Sequence, residues 1–211
     1  MMDQAMLDFS IARTMMVDGQ IRPNKVTDPR IIAAMRSVPR ECFLPPHLAP
    51  LAYVDIEVEL GNGRVMPQPM VTARLLQVAE LREGERVLVI GAGHGYSAAL
   101  LAACGVTVVA LDDKPGVSSP GVTWAAGPLN AGWAAGGPFD LILLDGAVAE
   151  FPAAFAEQMA PNGRLVGVQV SGGIGRAIRG VVVDGSLRVV PMFDCNATML
   201  PGLANVAGFV F

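Results

Sequence analysis

Histidine is scarce: the chain of 211 residues holds two, His47 and His94. Three cysteines, Cys42, Cys104 and Cys195, show neither CxxC nor Cys/His ligand spacing. A dedicated zinc site and a disulfide framework are therefore not expected, and an odd, sparse count suits reduced thiols. Long apolar runs are missing as well. Mean hydropathy is high at +0.46, yet no run reaches the roughly 18 apolar residues that a bilayer span needs. Clustered positive charge is also absent. The net charge is −4 and the basic residues are scattered, so neither nucleic acid nor a membrane is an expected partner. The opening "MMDQAMLDFSIARTMM" carries Asp3 and Asp8 and no early cationic patch. No secretory leader is expected from it, and a cytoplasmic location is. There are no internal repeats, and nothing in the pattern specifies an oligomeric state.

What remains is apolar and patterned. Hydrophobic residues make up 52% of the chain, ample for one core, and the expectation is a single domain over 1–211. Residues 1–80 read as an N-terminal, largely helical segment and 81–211 as an α/β sheet. In "TDPRIIAAMRSV", Asp28 is placed to cap, Pro29 suits the first turn, and Ile31, Ile32, Met35 and Val38 repeat at helical spacing. "PRECFLPPHLAPLAY" predicts turns and short helix. "TARLLQVAEL" predicts a helix entered from Pro69. Then strands alternate with helices: Val87 to Ile90, helix from Tyr96 to Cys104 with Gly105 as its stop, "VTVVALDD", "FDLILLDG", and helix, turn and strand in "AAFAEQMAPNGRLVGVQV". Apolar strands in such alternation imply a mostly parallel twisted sheet with helices on both faces. Asp184-Gly185 between two β-rich runs predicts a terminal antiparallel hairpin. "ANVAGFVF" is a final strand candidate, and 125–138 reads as a mobile loop.

The chemistry-bearing stretch is Gly91-Ala92-Gly93-His94-Gly95, between the first apolar strand and its helix. Glycines there let the backbone turn sharply and approach a ligand closely. The following helix offers free N–H groups. Asp112 and Asp113 end the next strand about 20 residues later, where a carboxylate accepts from a ribose diol. The spacing is GxGxG and not GxGxxG, because position 96 is Tyr. That favours an S-adenosylmethionine site over a dinucleotide site. The bland alternative is a plain strand–helix turn. His94 reads equally as a solvent-facing loop residue. Asp145, ending "LILLD", reads either as a ligand-side group at a strand end or as a helix cap.

Taken in order, "VTDPRIIAAMRSVPRECFLP", "LAYVDIEVELGNGRVMPQPMVTARLLQVAEL", "VLVIGAGHGYSAALLA" and "GPFDLILLDGAVAEFPAAFAEQMAPNGRLV" resemble the protein-L-isoaspartate (D-aspartate) O-methyltransferase family. The resemblance runs from about "MVDGQIRPNKVTDPRIIAAM" to "GRLVGVQV". It implies a Rossmann-like, seven-stranded methyltransferase sheet that uses S-adenosyl-L-methionine and releases S-adenosyl-L-homocysteine. It implies methylation of isoaspartyl carboxylates in damaged proteins, so an isoaspartyl peptide or protein is the implied partner. Carried over by position, Gly91, Ala92, Gly93, His94 and Gly95 line the cofactor, with Asp112 on the ribose and Asp113 and Asp145 nearby. Gln68 and Pro69 match the turn before the helix, while Tyr53 and Asp55 match the segment beside the substrate.

Three departures stand out. The family's usual serine before the Gln-Pro pair is Pro67 here, and its threonine-like position is Val65. With both hydroxyls gone, Gln68 and Thr72 become the candidate catalytic groups; Thr72 reads equally as bonding its own helix backbone. Only Lys114 to Gly121, with Pro115 and Pro120, join the acidic strand end to "VTW", too short for a crossover helix. The family's adenine-side acid is Pro128, following Gly127, with Asn130 as the candidate replacement. Two further functions stay open at this point: a catalytically weak or inactive relative that binds or regulates, and a methyltransferase retargeted to another carboxylate.

Overall fold

A computed structural model of the chain describes residues 8–204. The N-terminal segment is helical for local reasons. Helix α1 (Phe9–Met16) starts where the Asp8 carboxylate accepts from the Ser10 and Ile11 N–H groups, and it runs on into a π-helical turn, Val17–Ile21. In α2 (Pro29–Ser37) Asp28 caps the Arg30 N–H and Pro29 fills the first position, as its sequence predicts. Two 3₁₀ turns follow, Arg40–Phe43 and Pro46–Leu51. No strand is expected ahead of Val87 from alternation alone, yet β1 (Val58–Gly61) and β2 (Arg64–Met66) pair antiparallel there. Asn62-Gly63, both at positive φ (53° and 70°), is the overlooked signal. Helix α3 (Pro69–Ala79) then begins at Pro69.

The main sheet follows: β3 (Arg86–Ile90), α4 (Tyr96–Ala103), β4 (Thr107–Asp112), β5 (Val122–Ala126), β6 (Phe139–Val148), α5 (Ala153–Glu157), β7 (Met159–Ser171), β8 (Ile174–Val183) and β9 (Ser186–Asp194). Its order is β5-β4-β3-β6-β7-β8-β9. Strands β3 to β7 run parallel, and β8 and β9 close the sheet antiparallel. The hairpin turns at Asp184 and Gly185, φ 51° and 74°, the backbone that this dipeptide favours. The strand candidate at 204–211 lies almost wholly outside the described residues.

Strand side chains alternate between two cores. Val87, Val89, Val108, Ala110, Leu141 and Leu143 join α2, α3 and α4 on one face. Leu88, Ile90, Val109, Leu111, Ile142 and Leu144 face the other way, toward Leu129, Phe155, Leu200 and Leu203. Leu76, Leu88, Ile90, Leu100 and Leu101 are fully buried, each stabilising by roughly 1.5–3 kcal/mol. Helical cover is expected on both faces, but the second face has only the five-residue α5, 3₁₀ turns and the segment after β9. The β5–β6 connection, which packs on that face through Leu129 and Trp133, forms only the 3₁₀ turns Leu129–Ala131 and Ala134–Gly136, while the short β4–β5 link packs with the first core through Val117. The loop at 125–138, read as mobile, is tied down. Gln158 accepts from the Trp133 N–H at 2.6 Å and donates to the Ala131 carbonyl at 2.8 Å, and Leu129 is buried. Among the described residues no helix is long and apolar enough to cross a membrane.

Candidate active site

From β3 the chain goes to β4 and β5 on one side, then returns to β6 on the other. Ligands bind beyond the carboxyl ends of parallel strands at such a reversal, and the glycine loop lies there. The Gly91 and Ala92 N–H groups donate to the Leu111 carbonyl at 3.0 and 3.1 Å. This clamps the loop to the end of β4. Gly91, Gly93 and Gly95 have φ of 78°, 58° and 97°, a region open to glycine at little cost. Their surroundings differ. A Cβ on Gly91 would collide with Leu200, and one on Gly95 would lie 2.8 Å from Trp124. A Cβ on Gly93 would meet only ordinary contacts, Leu60 at 3.4 Å and Arg64 Nη2 at 3.7 Å, and the Gly93 N–H donates to Asp112 Oδ2 at 2.6 Å. Of the five loop residues, Gly93 and His94 line the cleft, whereas Ala92 is buried.

Asp112 is 2% exposed. Its carboxylate accepts from the N–H groups of Gly93 and Asp113, the latter at 2.8 Å, and from Arg64 Nη1. Arg64 Nη2 donates to the Gly91 carbonyl. A cavity of about 290 Å³ opens beside this pair, walled by Leu60, Asn62, His94, Asp113 and residues 115–117. A second, of about 240 Å³, lies between Arg64, Asp113, Gly127, Pro128, Leu129 and Pro201. Asn130 is exposed and lines neither. A carboxylate, a carbonyl and a side-chain-free floor suit a ligand that carries hydroxyl or ammonium donors.

The short link forms one wall of the first cavity. It has no helix; instead the Val117 N–H donates to the His94 carbonyl at 3.0 Å, and the Trp124 indole donates to the Val117 carbonyl at 3.3 Å. The imidazole Nδ1 of His94 lies 2.9 Å from the Phe43 carbonyl, which joins the loop to the N-terminal segment.

In the turn before α3, Pro67 and Pro69 are buried and Gln68 is the residue preceding the helix, with no side-chain capping bond. The Pro67 carbonyl accepts from Arg40 Nη2 at 2.5 Å. Thr72 is buried and its hydroxyl has no partner among the described residues, so it does not bond its helix backbone. Asp145 lies inside β6 and caps no helix. It accepts from the Ser97 hydroxyl at 2.8 Å, and burial raises its pKa to about 6. Tyr53 and Asp55 are placed in supporting contacts outside the cavities. The Tyr53 hydroxyl donates to Glu41 and accepts from Arg13 Nε at 2.8 Å. Burial raises the Tyr53 pKa. Asp55 accepts from the Met70 N–H at 3.1 Å, in the first turn of α3. The residues that sequence reasoning misses are Arg64, Ser97, Trp124 and Leu200; a lone arginine after the Asn62-Gly63 turn is a faint signal, and the other three carry none.

Comparison with known proteins places the chain in a family. The family model for protein-L-isoaspartate(D-aspartate) O-methyltransferase matches residues 12–174. The protein-L-isoaspartate O-methyltransferase of Methylorubrum extorquens strain PA1 is 38% identical over 169 residues, covering 75% of this chain and 74% of its own. The like-named protein 1 of Rhodopseudomonas palustris strain HaA2 is 40% identical over 169 residues, covering 75% and 69%. That of Methanoregula boonei is 37% identical over 188 residues, covering 82% and 85%. A solved protein-L-isoaspartate O-methyltransferase superposes with a TM-score of 0.76 at 22% identity, over 92% of this chain and 67% of that one. The Plasmodium falciparum structure titled a putative protein of that kind, in complex with S-adenosyl-L-homocysteine, gives 0.73 at 17%, over 89% and 97%. The fold is thus the Rossmann-like methyltransferase sheet, and the chain belongs to the protein-L-isoaspartate(D-aspartate) O-methyltransferase family.

Proposed function

We propose that the chain methylates the carboxylate of isoaspartyl residues in damaged proteins, using S-adenosyl-L-methionine and releasing S-adenosyl-L-homocysteine. The family match over residues 12–174 carries this reading, and the cofactor fits the residues present. Asp112 is a buried acceptor at a strand end, suited to a ribose diol. Gly93 has no Cβ to obstruct the approach, and the Gly91 carbonyl is a second acceptor. Flat apolar walls at Pro115, Val117, Pro128 and Leu129 suit an adenosine. When bound, the cofactor supplies an electrophilic methyl group on a sulfonium.

The chain's own contribution is alignment and exclusion of water. The attacking carboxylate is already ionised at neutral pH, so no general base is needed. Asp112 orients the ribose, Gly93 sets its distance, and residues 115–117 cover the cleft. Gln68, which makes no capping bond, is the free amide nearest the substrate turn, and Pro67 offers no donor to it. Read as one methyltransferase domain over 1–211, the chain acts in the cytoplasm; Cys42, Cys104 and Cys195 are all unpaired.

Calorimetric titration with S-adenosyl-L-homocysteine, followed by methyl transfer to an isoaspartyl peptide and its aspartyl twin, tests the reading. Binding is expected to weaken at least tenfold in Asp112→Ala, on the order of one charge-assisted hydrogen bond. Transfer is expected to the isoaspartyl peptide alone. Binding without transfer makes the chain a binding or regulatory relative, and transfer only to other carboxylates makes it a retargeted enzyme. No binding at millimolar ligand overturns the enzyme reading.

A further inference from the structure

Arg64 lies across the middle of the cofactor cleft. It leaves β2 directly after the Asn62-Gly63 turn, and its guanidinium reaches down to the ends of β3 and β4. Nη1 donates to the Asp112 carboxylate and Nη2 to the Gly91 carbonyl. The pair is shielded from water, with side chains 12% and 3% exposed. Both acceptors that suit the donors of an adenosyl amino acid are therefore already taken by a side chain of this protein.

The cavities tell the same story. Those of about 290 and 240 Å³ share a border at this pair: Asn62, Arg64, Asp112 and Asp113 line both. A nucleoside with an amino-acid arm needs the length of the two together, with its ribose at Asp112. It gets neither while Arg64 stays. The Asp112 carboxylate has little spare capacity, since two backbone N–H groups and Arg64 already donate to it.

A guanidinium drawn off Asp112 needs another anion, because an unpaired cation in a shielded site is costly. Pro67, at the substrate turn, lies three residues along the chain, at most about 10 Å of extended backbone. An arriving carboxylate is planar and accepts two parallel N–H bonds, the geometry that arginine matches best. It also meets no hydroxyl or N–H at Pro67. We propose that Arg64 is an internal latch on the cofactor cleft: it holds the ribose and ammonium acceptors in the resting protein, and the carboxylate of the isoaspartyl substrate draws it off and is then held by it. The inference rests on the function proposed above.

The test is calorimetric titration of S-adenosyl-L-homocysteine into the native protein and Arg64→Met, each with and without a saturating isoaspartyl hexapeptide. Methionine keeps an apolar stem and removes every donor. Arg64→Met is expected to bind about tenfold more tightly than the native protein, as a removed competing charged hydrogen bond predicts. The peptide is expected to tighten native binding by a similar factor and to leave Arg64→Met unchanged. Equal or weaker binding by a folded Arg64→Met overturns the latch while the function stands. Tighter binding without a peptide effect overturns release by substrate. Failure of both proteins to bind overturns the function proposed above, and the latch with it. Circular dichroism reports whether the variant folds; if it does not, Arg64→Leu, which also has no donor, carries the same comparison.

Discussion

Arg40 holds Pro67. The arginine of the Val38-Pro39-Arg40 turn is fully buried, and it donates from Nη2 to the Pro67 carbonyl at 2.5 Å and from Nε to the Ala52 carbonyl at 2.8 Å. Its guanidinium carbon lies 4.8 Å from the centre of the Tyr96 ring. One side chain thus fixes the turn before α3, the segment before β1 and the first turn of α4. Burial pulls the Arg40 pKa below its ordinary value, with Tyr96 and Asp145 opposing.

Arg40→Lys is therefore not conservative. An ammonium cannot reproduce a planar fork aimed at two carbonyls, and losing the second charged hydrogen bond should cost about 2 kcal/mol. The expected result is a lower urea midpoint at unchanged m-value, which distinguishes lost stability from a change in compactness.

Pro67→Ser restores a hydroxyl at the turn. The Arg40 anchor survives, because it uses the backbone carbonyl and not the ring. Methyl transfer to an isoaspartyl peptide is expected to rise about tenfold, the worth of one alignment contact of about 1.4 kcal/mol. A KM that falls with kcat unchanged would assign the hydroxyl to ground-state binding.

What was legible in the sequence is what is decided locally. Asp28-Pro29 starts α2 and Asp184-Gly185 turns the hairpin because the cap and the turn depend on neighbours one to three residues away. The glycine loop and the acid after it follow from a strand–helix unit. Which glycine meets the ligand does not: Gly91 and Gly95 are occupied by Leu200 and Trp124, and only topology brings those there. The same holds for Arg64 on Asp112, 48 residues apart, and Arg40 on Pro67, 27 apart. No propensity or period encodes such meetings. The strand pair β1–β2 escaped for another reason, since strands of four and three residues are too short to show alternation.

Asp145 makes a pH prediction. Burial raises its pKa from 3.8 to about 6, with the Ser97 hydroxyl bond working against the rise. The folded state therefore binds this proton more tightly than the unfolded chain. Its stabilising effect is complete below the unfolded value and is lost as pH rises through the folded one. Asp145→Asn keeps an acceptor for Ser97 and has no charge to bury. The variant is expected to match the native protein near pH 3.5 and to exceed it above about pH 7, by at most roughly 3 kcal/mol. Thermal melts across pH measure the difference directly; a constant offset at all pH values would remove the charge as its cause.

Arg164 and Glu85 are the opposite case, a buried pair that works through its partners. Arg164 is 2% exposed and donates to both Glu85 oxygens, at 2.8 and 2.7 Å. It also donates to the carbonyls of Ala79, Glu80 and Asp140. Two of these close the end of α3, where carbonyls otherwise lack partners. Burial is the largest single influence and works to raise the Glu85 carboxyl, but the Arg164 bonds, the Arg82 N–H and the charges of both arginines together hold it below its ordinary value. Its contribution is thus present above the unfolded pKa and lost as pH falls through the folded one. Arg164→Met strands a buried carboxylate and should cost about 3–5 kcal/mol at neutral pH. The loss should shrink as the pH falls below the ordinary glutamate range and Glu85 takes up a proton. Arg164→Met with Glu85→Leu should recover part of it, because removing both charges is far less costly than removing one. If the double variant is no more stable than Arg164→Met, the carbonyl contacts rather than the ion pair hold α3 to the sheet.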